Sequence, residues 1–235
     1  MSDFFKVINF DNVKGAVRPT KYRNSHKEFF QHPASVLIVS KSGGGKTNLL
    51  MSCLTVWSSW DRIILVTQHI DQPKYQTLIK FYDKVAKRCD EDILEVYTTI
   101  EEAPTAEDLD DTDDLQTAIV FDDVIMSKNL SEVENWFVKN RHSNTSVFFL
   151  TQSYTKKTPI VIRQNANYHI FLKTPSRKNQ SLIYQELGYN TTKERFVEMF
   201  NDATDGYNFF MIDLKTLDPM KQYRKNFNTK FYDPN

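Results

Sequence analysis

A glycine-rich run between an apolar segment and a helical pattern constrains the fold of this chain more than any other feature. Residues 40–47 read SKSGGGKT and follow the apolar, β-branched run Ser35–Val39, which predicts a buried strand. After the run, apolar residues recur at helical spacing, which predicts a helix over 46–57. A glycine loop that joins a strand to a helix and ends in Gly-Lys-Thr is typical of the phosphate-binding P-loop, although Ser40 stands where the pattern has glycine.

The residue types in this run suit a nucleoside triphosphate with Mg²⁺. Glycines let backbone N–H groups turn inward, and the start of a helix favours bound anions. The Lys46 ammonium can reach the β- and γ-phosphates, and the Thr47 hydroxyl can bind Mg²⁺. The alternative is a flexible glycine turn that happens to carry Lys-Thr, which the flanking strand and helix argue against. The predicted nucleotide-binding residues are Ser42, Gly43, Gly44, Gly45, Lys46, Thr47 and Asn48.

A second motif is an apolar strand pattern that ends in two aspartates. Residues 117–121 read TAIVF and predict a strand, and Asp122 and Asp123 come directly after it. A carboxylate at the end of such a strand can hold Mg²⁺ opposite Thr47, which is the role that we assign to Asp122. Asp123 is then the candidate base that polarises the attacking water. The alternative, a strand end capped by turn-forming aspartates, is weakened by the P-loop that precedes it.

Two further polar residues flank the strand predicted over 145–150. Gln152 follows its end, at the edge of a parallel sheet where the P-loop and Asp122 also lie, and could orient water or read the γ-phosphate. An ordinary polar strand end is an equally good interpretation. Arg141 precedes the strand and could reach the nucleotide of a neighbouring subunit. From the residues alone, an exposed cation that favours the helix dipole is the better interpretation of Arg141.

Strands that alternate with helices predict βαβ units, an α/β fold and a mainly parallel sheet flanked by helices. The remaining strands are expected over Arg62–Thr67, 93–97, 168–172 and 207–213. Helices are expected over 73–87, 131–139, 176–187 and 192–201, with Ser131 as the N-cap of the second. We divide the chain into an N-terminal arm packed on the core (1–34), a P-loop ATPase domain (35–213) and a basic C-terminal tail (214–235).

Charge is balanced overall but unevenly distributed. The chain of 235 residues has 30 basic and 30 acidic residues, with eight acids within 101–114 and none within 153–185. This two-sided distribution is compatible with a polyanionic partner. The two cysteines, Cys53 and Cys89, exclude a disulfide framework. No apolar run approaches the length of a membrane span, so we expect a soluble intracellular protein without one.

The order of these motifs resembles the FtsK–HerA superfamily of DNA-pumping ATPases, and most of all the genome-packaging ATPases of large DNA viruses and virophages. The P-loop and the Asp122–Asp123 strand are shared by many nucleotidases. The more specific part is Arg141-His142, followed by a strand ending in Thr151-Gln152 and then by residues 162–165. The resemblance implies a RecA-like core that hydrolyses ATP with Mg²⁺. It also implies that Arg141 is an arginine finger acting in trans and that Gln152 senses the γ-phosphate.

The same resemblance implies the partners of the chain. They are double-stranded DNA held without sequence preference, other copies of the chain in a ring that is commonly a hexamer, and a capsid vertex or membrane-associated capsid proteins. Basic residues after the sensor strand, Lys156, Lys157 and Arg163, would face the DNA. The expected location is the host cell interior, in the cytoplasm or a virus factory, or the virion. Two alternatives remain: a P-loop kinase of a small molecule, and a non-motor NTP-binding assembly factor.

Overall fold

A computed structural model describes residues 28–109, 115–127, 129–155, 157–173 and 177–231 of the chain. Its strands are β1 (Ser35–Val39), β2 (Arg62–Thr67), β3 (Leu94–Tyr97), β4 (Thr117–Asp122), β5 (Thr145–Thr151), β6 (Tyr168–Phe171), β7 (Phe210–Asp213), β8 (Tyr223–Lys225) and β9 (Thr229–Lys230). Its α-helices are α1 (Lys46–Thr55), α2 (Pro73–Cys89), α3 (Leu130–Lys139), α4 (Ile160–Asn165), α5 (Arg177–Leu187) and α6 (Lys193–Ala203). A short 3-10 helix, Pro219–Lys221, precedes β8.

All of these strands belong to one nine-stranded sheet in the order β3-β2-β4-β5-β1-β6-β7-β8-β9. The six strands from β3 to β6 in this order pair in parallel, whereas β7, β8 and β9 add antiparallel strands at one edge. A helix follows each of β1, β2, β4 and β5 along the chain, as expected for connections between parallel strands. The predicted α/β fold with a mainly parallel sheet is therefore confirmed.

The position of β5 between β1 and β4 brings the two predicted motifs together. Val39, the last residue of β1, pairs with Thr151, and Asp122, the last residue of β4, pairs with Leu150. The Ser40 amide continues the pairing by donating a 3.1 Å hydrogen bond to the Thr151 carbonyl. The P-loop, the Gln152 strand end and Asp122 consequently meet at the carboxyl edge of the sheet.

Both faces of the sheet are covered, and its central strands contain continuous apolar runs. Every residue of β4 and β5 is buried. Successive residues alternate between the two layers: Phe149 packs in the layer that contains Trp136 of α3, and Phe148 packs in the layer that contains Leu50 of α1. Continuous apolar strands of this kind are expected when helices cover both faces of a parallel sheet.

The start of α3 corrects one prediction. Ser131 does not cap this helix, because α3 begins at Leu130 and Asn129 occupies the N-cap position without a side-chain capping bond. The Ser131 hydroxyl instead donates a 3.1 Å hydrogen bond to Oδ1 of Asn129. Helix α4 was not predicted, since its six residues are too few to show a helical apolar period.

The segment after the predicted ATPase domain takes part in the same sheet. After Asp213, β8 and β9 extend it, and a buried ion pair between Arg224 and Asp213 fixes β8 to β7. Of the predicted N-terminal arm, residues 28–34 fall within the described chain, and Phe29 and Phe30 are buried there. None of the helices in the described ranges is long and apolar enough to cross a membrane. Residues 110–114 of the acidic stretch lie outside those ranges.

Candidate nucleotide-binding site

A cavity of about 220 Å³ opens at the carboxyl edge of the sheet, where β1, β4 and β5 end. It collects most of the residues that the sequence singles out, together with side chains from the segment after β2. Its lining comprises Ser42, Gly43, Gly44, Gly45, Lys46, Thr47, His69, Gln72, Lys74, Asp122, Asp123, Leu150 and Gln152. Asn48, the last predicted nucleotide-binding residue, instead faces a neighbouring cavity.

Close packing within the loop explains why a serine can replace the first P-loop glycine. Ser40 is fully buried, and a Cβ atom at Gly44 would lie 1.9 Å from the Ser40 hydroxyl oxygen. The serine side chain therefore fits only because residue 44 lacks a side chain. Gly45, which precedes α1, has a φ of 101°, a conformation that glycine adopts without steric cost. The loop thus keeps the backbone shape of a phosphate cradle.

The Lys46 ammonium is held within this loop. Its Nζ donates hydrogen bonds of 2.8 Å to the Ser40 carbonyl and 3.4 Å to the Lys41 carbonyl. Burial lowers the pKa of Lys46, and the nearby carboxylates of Asp122 and Asp123 act in the opposite direction. Carbonyl partners leave the ammonium without a direct anionic contact in the described structure, and a phosphate group would supply one.

The two predicted Mg²⁺ ligands line the P-loop cavity near one tyrosine hydroxyl, that of Tyr75. Tyr75 of α2 is fully buried and donates a short hydrogen bond to the Asp122 carboxylate. The side chains of Thr47 and Thr67 lie close to the same hydroxyl. Burial raises the pKa of Asp122, against the opposing effects of Tyr75 and Lys46. A hydroxyl and a buried carboxylate brought together in this way form an oxygen donor set that fits Mg²⁺.

Asp123 faces the cavity because the chain turns sharply at the end of β4. Its φ of 59° lies in the left-handed region, which aspartate tolerates better than most residues. One carboxylate oxygen lies 3.0 Å from Nε2 of His69, and the other accepts a 3.4 Å hydrogen bond from Nε2 of Gln152. The predicted base and the predicted sensor are thus in contact.

Two helices begin at this cavity and add to its positive potential. Helix α1 begins at Lys46, and α2 begins at Pro73, next to the cavity-lining residues Gln72 and Lys74. The unsatisfied N–H groups of a helix N-terminus carry partial positive charge, which favours bound anions. Together with Lys46 and Lys74, these termini suit a polyphosphate chain.

The sequence pattern of the poxvirus A32 protein family matches residues 21–217, most of the chain. The chain belongs to this family. No curated protein matches it.

Solved structures with the same fold include viral packaging proteins. The genome packaging NTPase B204 from Sulfolobus turreted icosahedral virus 2 in complex with AMP has 14% identity and a TM-score of 0.53, covering 81% of this chain and 100% of that chain. Its complex with ATP-gammaS has 15% identity and a TM-score of 0.54, covering 77% and 93%. B204, the DNA-packaging ATPase from Sulfolobus Turreted Icosahedral Virus, has 14% identity and a TM-score of 0.55, covering 79% and 94%. The P-loop NTPase fold of this A32-family chain is therefore confirmed.

Four polar residues of the site were not singled out from the sequence: His69, Gln72, Lys74 and Tyr75. All four follow β2, which lies beside β4 and ends at the same edge of the sheet. The signal was available in principle, because the segment after any parallel strand reaches the carboxyl edge. The strand order that places β2 next to β4 was not available from the sequence.

The arginine finger candidate of this A32-family chain lies far from the cavity. Arg141 is exposed in the turn that leads into β5, at the amino edge of the sheet. Strand β5 has seven residues, so at about 3.3 Å per residue its ends lie about 20 Å apart. Among the described residues, Arg141 has no hydrogen bond or ion pair, and Lys215 is a neighbouring cation. Arg141 therefore cannot serve the nucleotide of its own subunit.

The three basic residues expected to face DNA have different surroundings. Lys157 is exposed. Arg163 is only 7% exposed, forms an ion pair with Glu186 and lies 5.4 Å from the ring centroid of Tyr154. Its guanidinium is thus engaged inside the protein, so we leave Arg163 out of the proposed DNA contacts. Lys156 lies outside the described residues.

Proposed function

We propose that this chain is an ATP-driven translocase of double-stranded DNA that packages a viral genome into a preformed capsid, with ATP hydrolysed at subunit interfaces. Membership of the A32 family and the fold shared with viral packaging NTPases support a packaging role. The observation that carries the interface mechanism is the placement of Arg141 at the sheet edge opposite the nucleotide cavity. One protomer supplies a phosphate loop, a metal site and a base, and a neighbour completes the site.

In this proposal, each residue at the cavity has one role. Lys46 and the loop N–H groups bind the phosphates, and Thr47 and Asp122 hold Mg²⁺, which offsets charge on the phosphates. Asp123 orients and polarises the attacking water, since its carboxylate faces the cavity and is fixed by His69 and Gln152. Gln152 sits where it can report the presence of a γ-phosphate to the segment that follows β5.

Arg141 of a neighbouring protomer would stabilise the charge that develops on the transferred phosphoryl group. An arginine supplied in trans accelerates such reactions by about 10³- to 10⁵-fold in well-studied nucleotidases. Heterologous contacts of this kind close into rings when the rotation between subunits permits. A homo-oligomeric ring, for which we propose a hexamer, gives every nucleotide one donor of Arg141.

The proposed DNA contact uses phosphates and no base recognition. Lys157 is exposed in the segment after β5, close in sequence to the sensor Gln152. Cations that bind DNA phosphates release counterions, so affinity falls steeply with added salt. The proposed setting is the host cell interior, in the cytoplasm, a virus factory or the virion, with a capsid vertex or membrane-associated capsid proteins as the docking partner.

The test is steady-state ATP hydrolysis by the full chain with and without long double-stranded DNA, with Lys46→Ala as the background control. The proposal predicts stimulation by DNA that fades as salt is added and is absent in Lys46→Ala. Hydrolysis that depends on Lys46 but is indifferent to DNA would contradict the motor function and leave only the nucleotide site. ADP formation that requires a small acceptor molecule, with the phosphoryl group transferred to it, would favour a kinase.

A further inference from the structure

A second and larger cavity adjoins the phosphate cavity. It has a volume of about 730 Å³ and runs along α1 on the side facing β6 to β9, away from Asp122. Gly45 lines both cavities, and Asn48, the residue after Thr47, lines the larger one. A ligand whose phosphates bind residues 43–47 can therefore extend into this second cavity.

Aliphatic and aromatic side chains form much of the lining of the larger cavity. Leu49 of α1 and Leu172 after β6 contribute aliphatic groups. Phe227 packs against Trp57 and Phe209, with ring centroids 5.3 and 5.1 Å apart. Largely apolar walls with a few polar groups are typical of cavities that bind drug-sized molecules, and flat heterocycles fit aromatic walls well.

Backbone and amide hydrogen bonds fix the wall opposite α1. The Phe209 backbone amide donates a 3.2 Å hydrogen bond to Oδ1 of Asn226. Nδ2 of Asn226 in turn donates a 2.9 Å hydrogen bond to Oδ1 of Asn208. The backbone amide of Asn226 also donates a 2.9 Å hydrogen bond to the Phe209 carbonyl. The loop before β7 and the turn between β8 and β9 are thereby joined, which gives the cavity a preformed shape.

Two side chains at the mouth have capacity for a ligand. The Tyr207 ring is 93% exposed, and neither it nor the Asn48 amide makes a side-chain hydrogen bond within the described part of the chain. An exposed aromatic ring beside an apolar cavity is suited to stacking on a nucleobase. The Asn48 amide both donates and accepts, and so it can bind a ribose hydroxyl or a base edge.

We propose that this cavity binds the purine base and ribose of the nucleotide, with Tyr207 stacking on the base and Asn48 contacting the nucleoside. The inference rests on the proposed function, because it takes the P-loop as the site of the phosphates. Gly45, which lines both cavities, marks the point at which the phosphate part of the ligand would meet its nucleoside part. Base recognition therefore comes from the β6–β9 side of α1, and phosphate chemistry comes from the β4–β5 side.

Calorimetric titration of the full chain with two probes tests this assignment: the Mg²⁺ complex of β,γ-methylene ATP, and inorganic tripolyphosphate, which has no base. We expect the analogue to bind about tenfold or more tightly than tripolyphosphate, as one base–aromatic stack implies. Tyr207→Ala should remove most of that difference and leave tripolyphosphate binding unchanged. Tyr207→Trp should restore it, and Tyr189→Ala, at a tyrosine that is 69% exposed elsewhere, should change neither affinity.

The outcomes separate this inference from the proposed function. If Tyr207→Ala binds the analogue as tightly as the unmodified chain does, or weakens both probes equally, the base site is overturned. Lys46→Ala should weaken both probes, and this result upholds the phosphate site whatever Tyr207→Ala does. Failure of the unmodified chain to bind either probe would contradict the proposed function and, with it, the base site.

Discussion

The hydroxyl of Tyr75 donates a hydrogen bond to the carboxylate of Asp122, and both side chains are buried beneath the P-loop. Because Thr47 lies close to the same hydroxyl, we expect one tyrosine on α2 to position both of the proposed Mg²⁺ ligands. Residues that orient metal ligands without touching the metal often matter nearly as much as the ligands themselves.

Tyr75→Phe should therefore raise the Mg²⁺ concentration needed for half-maximal ATP hydrolysis by about 10- to 100-fold, the usual effect of losing such a partner. The ring stays in place, so the fold should persist. The measurement is hydrolysis rate against free Mg²⁺. Tyr82→Phe is the matched control. Tyr82 lies on the same helix, and its hydroxyl donates a 2.6 Å hydrogen bond to the Leu54 carbonyl, away from the metal site. An equal Mg²⁺ shift in both variants would refute the positioning role.

Substitutions of the neighbouring residues Asp122 and Asp123 should have different effects, because the two carboxylates have different proposed roles. Asp123→Asn should leave ATP binding intact and lower kcat by about 10²- to 10⁴-fold, the usual contribution of a general base. Asp122→Asn should instead weaken binding of Mg²⁺-ATP, because its carboxylate is assigned to the metal. Nucleotide titrations and single-turnover rates of the two variants distinguish these effects. If Asp123→Asn weakened binding of Mg²⁺-ATP and Asp122→Asn lowered only kcat, Asp123 would be the metal ligand and Asp122 the base.

Lys157 and Arg163 should differ in what they contribute. Lys157→Ala should weaken DNA binding and reduce the slope of log affinity against log salt by about 0.9, the value for one phosphate contact. Arg163→Ala should mainly destabilise the fold, by about 3 kcal/mol, since it removes a buried side chain and breaks its ion pair with Glu186. DNA titrations across salt concentrations and urea unfolding test the pair. If Arg163→Ala folds and its slope of log DNA affinity against log salt is reduced, Arg163 would be a DNA contact after all.

Two buried histidines should make stability depend on pH. Burial lowers the pKa of His32 and of His169 from 6.5 to about 4. Between these values the unfolded chain binds protons that the folded chain does not, so stability is complete above pH 6.5 and falls as the pH decreases. We expect a loss of about 2 kcal/mol per histidine between pH 7 and pH 5. Urea unfolding at several pH values measures this loss.

The histidine account has a direct control. His169→Gln should reduce the pH dependence of the free energy of unfolding, whereas His142→Gln, at an exposed position, should leave it unchanged. A pH dependence that persists undiminished when His32→Gln and His169→Gln are combined in one chain would assign it to other groups.

Much of the fold could be predicted because its signals are local. The apolar runs of β1, β2 and β4 and the Gly-Lys-Thr sequence before α1 each carry their own pattern, and the structure places these elements within one or two residues of the prediction. The capping of α3 was misjudged because helix starts depend on backbone geometry that Ser131 alone does not reveal. Strands β8 and β9 were missed since they are three and two residues long.

The sequence predicted those residues of the site that belong to short continuous motifs. Lys46, Asp122 and Gln152 follow recognisable strands, whereas His69 and Tyr75 reach the cavity only through the order of β2, β4 and β5. Arg163 shows the converse: a basic residue in a basic segment suggests a surface contact, but an acidic partner 23 positions later on α5 draws it inside. Pairings between distant segments of this kind leave no local pattern.

Hydrolysis completed between subunits is the central claim, and mixing two inactive variants tests it most directly. Lys46→Ala lacks a phosphate site but supplies Arg141, and Arg141→Ala lacks the finger but keeps the phosphate site. Each alone should show DNA-stimulated hydrolysis reduced by about 10³-fold or more. An equimolar mixture should recover activity at about a quarter of its interfaces, where a neighbour's Arg141 meets an intact Lys46. A mixture as inactive as its components, or full activity of assembled Arg141→Ala alone, would contradict the account.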